Sequence, residues 1–130
     1  MNRESLQTWL DKYVEAWRTY TPAKIGELFS KDALYFYSPF DEQNHLRGRE
    51  AIVADWLKEP NPVGSWEAHY APVAVEGNVG VAQGRTRYFT ANGAVEREFD
   101  NIFVMEFDDA GRCTRFTEWF MQPRGAQGGL

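Results

Sequence analysis

The sequence predicts an α+β fold, with three N-terminal helices packed on one face of a curved, mainly antiparallel β-sheet. A change of pattern predicts it. Up to Lys58 the apolar residues recur mostly at three- and four-residue steps, whereas from Trp66 to Met121 they alternate at two-residue steps. Between these regimes, Glu59-Pro60-Asn61-Pro62-Val63-Gly64 ends the last helix, because proline removes the amide hydrogen a helix needs. Aromatic content is the other observation: five Trp, six Tyr and nine Phe in 130 residues suit a packed shell or a hollow lined with rings.

Each element has a local reason. Leu6, Trp9, Leu10, Tyr13, Val14 and Trp17 make one apolar stripe on a helix over residues 4–18. Tyr13 and Trp17 end that stripe, either as core or as the wall of a cavity. Thr21 caps a second helix with Pro22 at its first position, and Ile25, Leu28 and Phe29 face inward. Residues 30–32 read as a turn, 33–37 as a strand, and 40–48 as a polar loop holding His45. Residues 49–58 form the third helix, with Ile52, Val53, Trp56 and Leu57 inward. Four strands follow, at 66–75, 79–90, 94–107 and 112–121, with glycine-bearing turns between them. Residues 1–122 make one domain, large enough to bury a core unaided, and residues 123–130 a flexible glycine-rich tail.

The last two strands carry the functional argument. A two- or four-residue loop at 108–111 pairs Phe107 with Arg112, Met105 with Thr114 and Phe103 with Phe116. It also sets Asn101 opposite Glu118 and Phe99 opposite Phe120, all on one face of the sheet. A carboxylate among four phenylalanines loses hydration, which raises its pKa toward the range of a general base. Asn101 can donate a hydrogen bond to it or to a substrate carbonyl. The other reading has Glu118 satisfied structurally, by Asn101, a tyrosine or an arginine. The opposite face holds Asp100 with Ile102, Val104 and Trp119. Apolar groups on both faces imply that one meets the helices and the other a second copy, giving a homodimer through the sheet.

Composition excludes several classes. A net charge of −5 without a basic tract disfavours nucleic acid and anionic membranes as partners. Cys113 is the single cysteine, so neither an internal disulfide nor a cysteine-based zinc site is available. His45 and His69 lack a carboxylate spacing that would mark a metal site, and no cofactor is implied. The start, MNRESLQTW, lacks an apolar signal core and no run is long enough to span a bilayer, so a cytoplasmic protein is expected.

Three stretches resemble the nuclear transport factor 2-like superfamily, and within it the SnoaL-like branch: KYVEAWRTYTPAKIGELFSKDALYF, LRGREAIVADWL and FDDAGRCTRFTEWF. The resemblance implies a cone-shaped fold whose helices and sheet enclose a pocket. It also implies a superfamily spanning isomerases, dehydratases, epoxide hydrolases, polyketide cyclases and association domains, so function rests on the site. Tyr13 falls where the ketosteroid isomerase branch offers a tyrosine to its substrate oxygen. Where that branch places its aspartate base this chain has Tyr37-Ser38-Pro39, and its second acid corresponds to Phe103, so steroid-type isomerisation is disfavoured. The scytalone dehydratase pattern asks for paired pocket histidines, whereas His45 lies on a loop and His69 on a strand. The epoxide hydrolase pattern asks for two inward aspartates beside an arginine. Arg85 and Arg87 share a face with Gln83, and no such aspartates accompany them.

These readings converge on a SnoaL-like protein binding a small apolar molecule, cyclic or polyketide-like, in its cone pocket. Glu118, Asn101 and Tyr13 are the candidate catalytic residues. Trp17, Tyr37, Trp56, His69, Phe99, Phe103, Phe116 and Phe120 are the candidate ligand contacts, with Tyr37 a second hydroxyl donor to a developing oxyanion. The chemistry would be cofactor-free acid–base catalysis: isomerisation, cyclisation, dehydration or hydrolysis. The alternative is a non-catalytic ligand-binding or dimerisation module.

Overall fold

A computed structural model describes residues 1–125, so of the predicted tail residues 126–130 lie outside the described residues. The elements in chain order are α1 (Arg3–Thr19), α2 (Pro22–Glu27), β1 (Phe29–Phe36), β2 (Leu46–Arg47), α3 (Arg49–Lys58), β3 (Trp66–Glu76), β4 (Val79–Phe89), β5 (Val95–Phe107) and β6 (Cys113–Met121). The strands form one open sheet in the order β2-β1-β6-β5-β4-β3. All pairings are antiparallel except β1 with β6, which run parallel.

The helices behave as their sequences dictate, with two corrections. Asn2 and Ser5 exchange hydrogen bonds in a capping box at the start of α1, which satisfies amides that the helix leaves open. Thr21 occupies the cap position of α2, but its hydroxyl bonds Thr19 instead of a helix amide. Leu57, expected inward, is 37% exposed because α3 is only half covered. Residues 30–32, expected to turn, belong to β1: α2 ends at Leu28, whose carbonyl accepts from the Cys113 amide and from Trp9 Nε1, and the chain becomes extended at once. Part of the expected loop 40–48 adds the short β2, whose neighbour Gly48 (φ 91°) donates its amide to Ala33.

The core lies between the helices and one face of the sheet, with Leu6, Leu10, Ile25, Phe29, Phe103, Met105 and Phe116 at or below 1% exposure. Helix α1 crosses that face diagonally. Trp9 meets Phe107 of β5 with ring centres 5.5 Å apart, whereas Trp17 stacks on Trp66 of β3 at 3.7 Å. The crossing leaves the far ends of β5 and β6 without a helix above them. That uncovered corner positions the site.

Candidate functional site

A cavity of about 690 Å³ opens at that corner, bounded by α1, β1, α3 and strands β3 to β6. Glu118 stands in its wall, on the inward side of β6. Its Oε2 accepts from Asn101 Nδ2 at 2.7 Å. Burial pushes the Glu118 carboxyl up from 4.5 to about 7, with the Asn101 hydrogen bond pulling the other way. The group therefore changes charge near neutrality while facing a space large enough for a ligand.

The pairing of β5 with β6 differs from the one expected by two residues. Asn101 pairs with Phe120 and Phe103 with Glu118, so the Asn101–Glu118 contact is diagonal. The turn explains the shift. Gly111 adopts φ 82°, its amide donates to the Asp108 carbonyl, and the Asp108 amide donates to the Arg112 carbonyl, which makes a three-residue loop. Asp108 Oδ1 holds it by accepting from the amides of Ala110 and Arg112. Phe107 then pairs with Cys113 and Glu106 with Arg115, leaving Thr114 as an extra residue. Cys113, not Arg112 or Thr114, enters the core. The bulge restores the alternation, which is why Asn101 and Glu118 still share the inward face.

Tyr13, Trp17, Tyr37, Trp56, Phe99 and Phe120 line the cavity together with Asn101 and Glu118. Phe103 and Phe116 do not: at 1% and 0% exposure they lie beneath it, under Tyr13. His69 is a correction. It is exposed on the outer face of β3, between the inward-facing Ala68 and Tyr70. Its parity was readable, since Glu67 shares its face while Trp66, Ala68 and Tyr70 share the other. His45 bonds the Asp41 carbonyl and stacks on Phe36, away from the cavity.

Several lining residues escaped the sequence reading. Tyr35 places its hydroxyl 3.1 Å from that of Tyr13, and both are driven well above the usual tyrosine range, chiefly by burial. Tyr37, already a candidate contact, is also pushed up by burial and by its partner Asp55, to whose Oδ2 it donates at 2.7 Å. Tyr70 bonds Thr86 at 2.6 Å, and Thr86 bonds Asn101 Oδ1 at 2.9 Å. At the rim, Arg97 lies 4.4 Å over the Tyr88 ring, and the Tyr20 hydroxyl accepts from the Asn61 amide and Nδ2. Alternation would have found Tyr35, which stands two residues from both Ala33 and Tyr37. It would also have found Thr86, between the outward Arg85 and Arg87.

Helices laid across one face of a mainly antiparallel sheet, with a cavity and a desolvated carboxylate on the last strand, define an α+β domain with a pocket at the uncovered end of its sheet. Residues 10–116 match the model of the SnoaL-like domain. The chain belongs to that family, and its fold is that of solved nuclear transport factor 2-like proteins. Solved structures similar to it include a protein of unknown function from Burkholderia xenovorans, 20% identical with a TM-score of 0.70, covering 98% of this chain and 91% of that one. A candidate ketosteroid isomerase from Kribbella flavida is 15% identical with a TM-score of 0.70, covering 98% and 85%. A protein of unknown function from Cytophaga hutchinsonii is 13% identical with a TM-score of 0.68, covering 93% and 100%. At such identities the likeness is one of fold. No curated relative matches the sequence. Among the described residues, no helix is long and apolar enough to cross a membrane.

Proposed function

We propose that helices and sheet form a cone around the cavity, which binds a small apolar molecule, cyclic or polyketide-like, and that Glu118 acts on it as a cofactor-free general base. The observation that carries this reading is a carboxyl held near pH 7 at the wall of an aromatic cavity. Glu118 takes a proton from the carbon beside a ligand carbonyl; the electron pair of that C–H bond forms the C=C bond of an enolate, and the C=O π pair moves onto the oxygen. The Tyr13–Tyr35 pair receives the resulting charge. One hydroxyl donates to the other, which leaves one O–H free to bond the oxyanion. Both phenols stay neutral because burial raises them. Return of that proton from Glu118 to another carbon completes an isomerisation. Attack of the enolate on a second carbonyl, with the proton given to the new alkoxide, completes a cyclisation. Transfer of the proton to a β-hydroxyl that leaves as water completes a dehydration. Trp17, Tyr37, Trp56, Phe99 and Phe120 supply the ring contacts, and Asn101 orients Glu118.

The test combines titration with turnover. The Glu118 carboxyl should titrate near pH 7 by NMR, assigned with Glu118→Gln. Turnover of a screened cyclic ketone should rise through the same pH and vanish in that variant with binding retained. Ligands that bind without reacting would leave a binding module in place of a catalyst, and a Glu118→Gln protein as active as wild type would remove Glu118 from the mechanism.

We further propose that the outer face of the sheet pairs with a second copy of the chain. Its support is Trp119, 44% exposed beside Ile102 and Val104. Sedimentation at micromolar concentration should give a dimer, and a monomer would end this reading.

A further inference from the structure

Four polar side chains cross the cavity wall in one line, one from each of four neighbouring strands. Tyr70 of β3 reaches Thr86 of β4 at 2.6 Å, Thr86 reaches Asn101 of β5 at 2.9 Å, and Asn101 reaches Glu118 of β6 at 2.7 Å. Every step is diagonal: the direct partner of Tyr70 is Gly84, that of Thr86 is Phe99, and that of Asn101 is Phe120.

The chemistry of the groups fixes the direction of the line. An ionised carboxylate only accepts, so Asn101 turns its NH2 toward Glu118 and its carbonyl oxygen toward Thr86. That oxygen only accepts, so Thr86 spends its single hydroxyl hydrogen there. Tyr70 must then donate to Thr86. All three donors therefore point toward Glu118, and each polarises the next. Thr86, Asn101 and Tyr70 are 2%, 4% and 8% exposed, which leaves little room for water to substitute. Among the described residues, the single buried side-chain polar atom without a partner is His45 Nε2, outside this line.

A separate feature makes the first step possible. A Cβ on residue 84 would collide with the His69 carbonyl oxygen and stand 2.6 Å from Tyr70 Cδ1. Glycine there lets β3 and β4 approach and the Tyr70 ring lie across the sheet.

We propose that Tyr70 and Thr86 are positioning residues, which lock the Asn101 carboxamide with its NH2 on Glu118 and so tune the basicity of that carboxylate. The inference rests on the reading of Glu118 as a base. Its charge also faces Tyr13 from α1, Tyr35 from β1, Tyr37 just after β1 and Tyr88 from β4, all of them raised mainly by burial. Tyr20 after α1, Asp55 and Lys58 of α3, Glu59 after it and Arg97 of β5 complete the titratable groups of the cavity. None of the four raised tyrosines loses its proton near neutrality, and Glu118→Gln assigns the carboxyl signal that belongs to Glu118.

The experiment follows the Glu118 carboxyl and the Tyr70 ring carbon Cζ by NMR across pH in the intact chain. In wild type, Tyr70 Cζ should shift with the midpoint of Glu118, although the phenol itself does not titrate there. Thr86→Val should raise the Glu118 midpoint by roughly half a pH unit or more, because Thr86 no longer holds and polarises the Asn101 carboxamide that donates to the charged form. It should also abolish the Tyr70 response. Tyr70→Phe should raise the midpoint by less, and Thr86→Ser should restore both signals. A Tyr70 response that persists in Thr86→Val would mean a field through space and would overturn the chain. So would an unmoved midpoint in Tyr70→Phe and Thr86→Val, and Tyr70→Phe alone decides if Thr86→Val does not fold. A wild-type midpoint near 4.5 would instead sink the reading of Glu118 as a base, and transmission to Tyr70 would be judged separately.

Discussion

The inward face of β5 and β6 is continuous, yet its two ends do different work. Toward the turn, Phe103, Met105, Phe107, Cys113 and Phe116 are at most 2% exposed, and a Cβ on Gly80 would meet Leu6 at 3.0 Å. Toward the other end Phe120 is 55% exposed, and Glu118 and Asn101 stand at the boundary. The strands are alike; the covering differs. Helix α1 lies over β5 and β6 at Trp9 and has moved across to β3 by Trp17. A cavity arises where an amphipathic face outruns the helix that covers it, and the boundary residue is dry enough to be perturbed and open enough to reach a ligand.

The largest effect tests the covered end. Phe116 stacks on Tyr35 with centres 4.5 Å apart and touches Tyr13 and Phe103. Phe116→Ala should lower unfolding stability by about 3–5 kcal/mol, the usual cost of emptying a ring-sized core site. Phe120→Ala, at the open end of the same strand, should cost less than about 1 kcal/mol. Urea unfolding of both variants decides it, and equal losses would mean that the two ends are packed alike.

The next effect concerns the boundary. The folded Glu118 carboxyl is raised to about 7 from 4.5, so the protein gains no advantage from ionising it. Below its unfolded pKa the group is neutral in both states and costs nothing. As pH climbs from 4.5 to about 7 the unfolded chain ionises first and stability falls. Above that window the loss is complete, on the order of 3 kcal/mol. Glu118→Gln should match wild type at about pH 4 and exceed it by about 2–3 kcal/mol at about pH 8. A stability curve for wild type that is flat between those limits would place Glu118 in solvent. A smaller change isolates its partner: Asn101→Ala removes a donor to the charged form and should raise the Glu118 midpoint by about one pH unit. A midpoint that stays put would show that burial alone sets it.

The sequence displays the face but not its covering. Alternation from Phe99 to Phe107 and from Phe116 to Phe120 marks Asn101 and Glu118 as inward neighbours, and the stripe from Leu6 to Trp17 marks α1. What alternation lacks is register. A glycine at positive φ in the turn and the extra residue Thr114 slid the pairs by two places. It also lacks the path of a helix over a sheet, so Phe103 and Phe116 read as cavity wall although Tyr13 lies over them. His69 is different in kind, because its own strand carried the parity that sets it outside. The line from Tyr70 to Glu118 needed the registers of three strand pairs and a close approach at Gly84, none of which a single segment contains.

The smallest effect contrasts the two faces of the sheet. On the outer face Asp100 accepts from Arg85 Nε at 3.2 Å and from Gln83 Nε2 at 3.1 Å, one residue along β5 from Asn101. Like Glu118, Asp100 accepts from a neighbouring strand, yet the Arg85 and Asp100 side chains are 63% and 36% exposed. Water there screens the charges and competes for the hydrogen bonds, so an exposed pair of this kind contributes about 0–1 kcal/mol. A double-mutant cycle of Arg85→Ala with Asp100→Asn should give a coupling in that range that fades as salt is added. A coupling that is larger and insensitive to salt would mean that the pair is buried in solution. The outer face would then be covered by a second copy of the chain, and the two faces would differ in their partner more than in their solvation.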